Sequence, residues 1–220
     1  MAAAPLPALS LLETRVLGVL VEKQHTVPDS YPLTLNALVA GCNQKSSRHP
    51  ILEAAEAEVQ AALDHLKALS LVVESSGGRV MRYAHNAGRV LGIPPQSVAL
   101  LATLMLRGPQ TAGELRINSE RLHAFSDISA VEAFLEELAS RPAGALVREL
   151  ARQPGARETR WAHLLAGEPP SDPSPAAAHA AVQEPSLGEI AALKANVDRL
   201  EGEVAELREK LARVFRELGL

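Results

Sequence analysis

Apolar residues along the first ninety positions fall into two periods, and the changes between them mark the elements. Leu12, Val16, Val19 and Leu20 share one face at helical spacing. Just before them stand Ser10 and Glu13, placed three apart so that each can cap the other's backbone, and a first helix is predicted to open there. His25 to Ser30, with Pro28 and Asp29, predicts a loop. Pro32 and Thr34 then introduce a second helix whose inward stripe is Leu35, Leu38, Val39 and Cys42. The polar run from Asn43 to Pro50 predicts a turn. A third helix follows with Val59, Ala62, Leu63 and Leu66 on its core side, and the β-prone runs 71–74 and 80–83 flank Ser75-Ser-Gly-Gly78, a hairpin signal.

The same order then repeats. Pro95 to Leu106 predicts a helix that Arg107-Gly108 stops. Thr111 with Glu114 caps a short second helix, and Ser126 or Asp127 caps a third that runs to about Ser140. Residues 145–150 and 158–164 are strand-like around Arg152-Gln-Pro-Gly155. Pro32-x-Thr34-x-x-x-Leu38 is matched by Pro109-x-Thr111-x-x-x-Leu115. Val59-x-x-x-Leu63-x-x-Leu66 is matched by Val131-x-x-x-Leu135-x-x-Leu138. Two patterns in the same order on equivalent elements predict a repeated domain.

Helix, helix, turn, helix and hairpin is the order of a winged helix. The expected fold class is therefore mainly α with small β-hairpins (α+β): two tandem winged-helix domains followed by a C-terminal coiled-coil helix. Residues 1–8 are expected to be a disordered N-terminus, 9–88 the first domain and 89–166 the second. Residues 167–186, with five prolines and no apolar period, are expected to form a flexible linker. In 187–220, Ile190, Val197, Val204, Leu211 and Leu218 occupy heptad position a, and Leu193, Leu200, Leu207 and Val214 occupy d. Mostly β-branched a residues with leucine at d favour two parallel strands, so a homodimer is expected; folding back on the same chain is the other arrangement.

Composition narrows the chemistry. Aromatics are 3% of the chain, so Leu, Val and Ala must fill the core, and the net charge of −4 gives no general attraction to nucleic acid or anionic lipid. The single cysteine, Cys42, excludes an internal disulfide and any multi-cysteine zinc site; it falls on an apolar stripe, as a buried structural thiol does. No apolar run is long enough to span a bilayer and no secretory signal opens the chain, which reads as cytoplasmic with no membrane partner. The histidines lack ligand spacing, and no Walker loop, dinucleotide fingerprint or nucleophile elbow occurs. The expectation is a protein that is not an enzyme, with no cofactor and no metal. Trp161 is expected to fill the second core. Asn43 and Gln44 could contact a ligand, although loop residues of this kind more commonly hold a turn.

Several of these segments resemble a known family. Glu13-Thr-Arg-Val-Leu-Gly18 with Glu22-Lys23, Tyr31-Pro-Leu-Thr-Leu-Asn36, and Cys42-Asn-Gln-Lys-Ser46 with Arg48 and Pro50 are similar to the YceH-like family of uncharacterised bacterial proteins. So are Arg107-Gly-Pro-Gln-Thr111, Gly113-Glu-Leu-Arg116, Glu120-Arg-Leu-His123 and Arg160-Trp-Ala-His163. The likeness covers about residues 9–166 and implies two winged helices but no activity. It departs at Ala55, where similar proteins place a capping Ser, Thr or Asp; that loss is expected to fray the third helix by about 1 kcal/mol.

Winged helices commonly insert the third helix into the DNA major groove. Here that helix shows Ala57, Ala61, Asp64 and Ala68 outward, and the second copy shows Ala133 and Glu136. Residues 127–140 hold four acids and no base, whereas phosphates and base edges call for cations and amides. These faces are the candidate protein-interaction surfaces, and an adaptor for an unidentified protein partner is the leading expectation. The alternative is a DNA-binding regulator using Lys45 and Arg48 in the 43–49 loop and the wing arginines Arg79, Arg82, Arg148, Arg152, Arg157 and Arg160.

Overall fold

The computed structural model describes residues 6–76 and 80–168. These belong to one contact unit, Met1–Pro169. Residues 169–186 of the expected linker, the coiled-coil seam from Ile190 to Leu218, and Arg79 lie outside the described residues.

The fold is mixed α+β, with seven α-helices and two antiparallel two-stranded sheets among the described residues. The first half contains α1 (Leu11–Thr26), a 3₁₀ turn (Pro28–Ser30), α2 (Leu35–Cys42), α3 (Glu56–Ala68) and the hairpin β1 (Val72–Ser76) and β2 (Met81–His85). A short α4 (Ala87–Leu91), which the apolar pattern does not announce, leads to the second half. That half contains α5 (Pro95–Arg107), α6 (Ala112–Asn118), α7 (Ile128–Ala139), β3 (Val147–Glu149) and β4 (Trp161–His163). The 88/89 boundary expected from sequence falls inside α4.

Local chemistry sets the helix starts. Ser10 Oγ accepts from Glu13 N at 3.2 Å while Ser10 N donates to Glu13 Oε2 at 2.6 Å, so two otherwise orphaned donors are satisfied. Thr111 and Glu114 repeat this at 3.2 and 2.9 Å. Asp127, the second of the two candidate caps, accepts from Ala130 N at 2.8 Å. At α3, Ala55 can offer no side-chain oxygen, yet Ala55 N still donates to Glu58 Oε2 at 2.7 Å. Half of the capping box therefore survives the alanine.

The two hairpins share a pairing pattern. Val72 pairs with His85 in the first, and Val147 with His163 in the second. Two residues before each histidine, an aromatic residue bridges to the residue just ahead of the threonine cap. Leu33 exchanges backbone bonds with Tyr83 (3.0 and 2.8 Å), and Gln110 does so with Trp161 (3.1 and 2.7 Å). Each hairpin thus gains a short third edge, formed by the residues that lead into α2 and α6. Trp161 is buried in β4, as its strand setting predicts.

One apolar core runs through both halves because α1 packs on α5 as well as on α2 and α3. Every residue of α1 from Glu13 to Val21 is buried. Its sequence suggests a single apolar face, but α5 covers the side that the stripe leaves open. Gly18 permits this approach: a Cβ there would lie 3.0 Å from Leu106 Cγ. Backbone bonds also join the halves, His49 N donating to Leu106 O at 2.8 Å and Leu9 N to Leu165 O at 2.7 Å.

Candidate binding surfaces

Burial sorts the cations that sequence alone groups together. Arg48 is 6% exposed and points inward. Its Nη1 and Nη2 donate to Glu22 Oε1 and Oε2 at 3.0 and 2.6 Å, while Nε donates to Gly41 O at 3.2 Å. A fork-to-fork pair of this geometry uses the guanidinium up and leaves little for a phosphate. Burial works to raise the Glu22 carboxyl, but the Arg48 bonds and charge, with Lys23, overrule it and hold Glu22 below the ordinary carboxylate range. Arg15, fully buried behind this pair, donates to Cys42 O at 3.1 Å and Pro50 O at 2.6 Å. Burial, followed by the Arg48 charge, lowers its pKa. Asn43 clamps the same loop, bonding Ala54 O at 2.9 Å and Ala54 N at 2.8 Å. Its role is the turn-holding one.

Arg82 reaches back to Pro32 O at 2.8 Å and fastens the approach to α2. Arg148 pairs with Glu168. Lys45, Arg152, Arg157 and Arg160 are exposed, and their side chains have no hydrogen-bond or ion-pair partner among the described residues. Of the described basic residues expected at a nucleic-acid surface, these four keep their charge available.

The outward faces of the third helices lie where the helical period places them. Ala57, Ala61, Asp64 and Ala68 are exposed on α3, and Asp64 accepts from Gln60 at 3.1 Å and Lys67 at 3.3 Å. Ala133 and Glu136 are exposed on α7, as are Glu132 and Glu137. The two faces differ in what stands opposite. In the second half, α7 and the β3–β4 hairpin enclose a groove of about 390 Å³. Glu132 and Glu136 line it from α7, while Glu149, Arg152, Arg157 and Glu158 line it from the hairpin. Four carboxylates therefore share one groove with two arginines. Ile128, 46% exposed at the start of α7, adds an apolar contact at its edge. The period of α7 signals Glu132 and Glu136. Nothing in the spacing signals that Glu149 and Glu158 face them, because the helix-to-hairpin approach is a tertiary fact.

Cys42 is fully buried, and burial pushes its thiol up to about 11 against the opposing pull of Arg15 and Arg48. It holds a proton at neutral pH and fills space. Among the described residues no three His, Cys, Asp or Glu side chains are grouped to hold a metal ion, and no helix is long and apolar enough to cross a membrane.

Together these features define a mixed α+β chain with a charged groove on its second half. The family model described as "Protein of unknown function, DUF480" matches residues 9–156, and the chain belongs to that family, the one that the YceH-like motifs indicate. A UPF0502 protein of Dechloromonas aromatica (strain RCB) is 62% identical, over 96% of this chain and 98% of the relative. UPF0502 proteins of Paraburkholderia xenovorans (strain LB400) and Burkholderia orbicola (strain MC0-3) are 59% and 58% identical, over 97% and 96% of this chain and 89% and 90% of the relatives.

Proposed function

We propose that this chain is a non-catalytic cytoplasmic adaptor built from two winged helices in tandem and paired with a second copy through the 187–220 heptads. Its docking site is the groove between α7 and the β3–β4 hairpin, and its occupant is a protein segment that brings lysine or arginine side chains. The winged-helix reading is supported by the strand-edge, helix, helix, hairpin order of each half. It is also supported by the matched Leu33–Tyr83 and Gln110–Trp161 bridges.

The observation that carries the docking reading is the charge of the groove: four carboxylates against two arginines. A nucleic-acid backbone entering there would meet net repulsion, whereas a cationic peptide would meet carboxylates on both walls. Regulation through DNA ranks second. It rests on Lys45, Arg152, Arg157 and Arg160, two of which already share the groove with acids.

A random-peptide display library panned on the full chain tests the proposal. Enriched peptides should carry Lys or Arg, and the enrichment should disappear when Glu132 and Glu136 are both changed to Lys. Enrichment that is indifferent to those substitutions, or none above background, would overturn it.

A further inference from the structure

A second concavity, of about 320 Å³, opens between the two halves, away from the α7 groove. Its walls come from four distant parts of the chain: the end of α1, the loop after α2, the end of α5 and the end of α6 with the turn that follows. They bring together Lys23, Arg107 and Arg121, with Gln44, Ser46, Ser47 and Asn118 as hydrogen-bonding neighbours.

The charge balance is one-sided. Three cations face a single lining carboxylate, Glu22, whose two oxygens are already taken by Arg48 and Lys23. Neighbouring bonds hold two of the cations in place. Lys23 Nζ donates to Gln44 Oε1 at 3.3 Å, and Arg107 Nη2 donates to Ser47 Oγ at 2.8 Å. Ser47 sits at φ 58°, a left-handed turn that few non-glycine residues adopt, and Arg48 Nη1 donates to its carbonyl at 2.9 Å. Asn118 Nδ2 is spent on Gln110 Oε1 at 2.8 Å. Arg121 is exposed and has no hydrogen-bond or ion-pair partner among the described residues, so its whole fork is available.

From this arrangement we infer that the cleft is a binding site for a small molecule carrying a phosphate group. A carboxylate has two oxygens in one plane, which one guanidinium can satisfy. A phosphate spreads its charge over a tetrahedron, and that suits cations approaching from several walls with hydroxyls between them. The volume leaves room for a modest remainder beyond the phosphate. Because Lys23 belongs to the first half and Arg107 and Arg121 to the second, the bound anion bridges the two. The inference is independent of the adaptor reading, since the cleft and the α7 groove share no residue.

Isothermal titration of the full chain with inorganic pyrophosphate, in chloride buffer of matched ionic strength, tests it. Binding should saturate at one ligand per chain. Arg121→Ala should weaken it about tenfold or more, and so should Arg107→Ala. Arg121 bonds to nothing, so its removal leaves the fold intact even if Arg107→Ala disturbs the Ser47 turn. Arg89→Ala, an exposed arginine on α4, should have no effect. The inference is overturned by absence of saturable heat, by affinity indifferent to Arg121, or by equal weakening from Arg89→Ala, which would mean diffuse charge attraction.

Discussion

Replacing Glu22 with alanine is expected to destabilise the protein by about 3–5 kcal/mol, the cost of stranding one member of a buried ion pair. Arg48 would keep its bonds to Gly41 O and Ser47 O but lose both charge-assisted ones. The Arg48 charge is felt at Arg15, which has only carbonyl partners, so two buried cations would be left without a carboxylate partner. Chemical denaturation reads the loss directly. The double variant Glu22→Leu/Arg48→Met removes both charges, and it should lie closer to wild type than Glu22→Ala does, because apolar replacement avoids the desolvation of an unpaired ion. A single variant as stable as wild type would show that the pair contributes nothing.

Acid should weaken the fold well above the carboxylate range. Burial lowers His163 to about 4; burial and the nearby His25 charge lower His85 to about 4. In both, Nδ1 is buried with no hydrogen-bond partner among the described residues. His85 Nε2 lies 2.6 Å from Gln24 Oε1, an acceptor, so the neutral ring carries its proton there and a second proton on Nδ1 would find no acceptor. The sign follows from linkage. Between about pH 6.5 and 4 the unfolded chain binds more protons than the native one, so stability is fully present above the unfolded value and falls with pH. Each ring contributes about 2 kcal/mol of loss at pH 5 relative to pH 7.5, roughly 4 together. Glu22, held low by Arg48, adds loss in the same direction at lower pH. Urea unfolding at the two pH values should show the drop, and His163→Phe should remove about half of it whatever it does to the baseline. A stability unchanged across that interval would contradict the argument.

Element order and core were legible because both rest on period. Val59, Ala62, Leu63 and Leu66 are buried on α3 as their spacing requires, and the Ser10 and Thr111 capping boxes form as their residue types demand. What depends on tertiary approach was hidden. Arg48 and Arg82 look like surface cations in a polar loop and a wing. The groups that hold them, Glu22 and the Pro32 carbonyl, are 26 and 50 residues distant. The all-round burial of α1 was hidden for the same reason, since its second partner, α5, lies beyond the first hairpin. Only one wall of the groove could be foreseen. Glu132 and Glu136 follow from helical spacing, whereas Glu149 and Glu158 reach it through the fold of the hairpin. The inter-half cleft had no sequence signal as a site: its cations are scattered among Lys23, Arg107 and Arg121, and convergence is their only common feature.

The proposed docking site puts carboxylates where a DNA-reading winged helix would carry cations. Fluorescence anisotropy with a labelled random-sequence duplex at low ionic strength, where phosphate attraction is least screened, tests this most directly. The wild-type chain should give no saturable binding, and Glu132→Lys/Glu136→Lys should gain it. Saturable wild-type binding that is lost when Arg152 and Arg157 become Glu would contradict the account and make the second half a DNA-binding module.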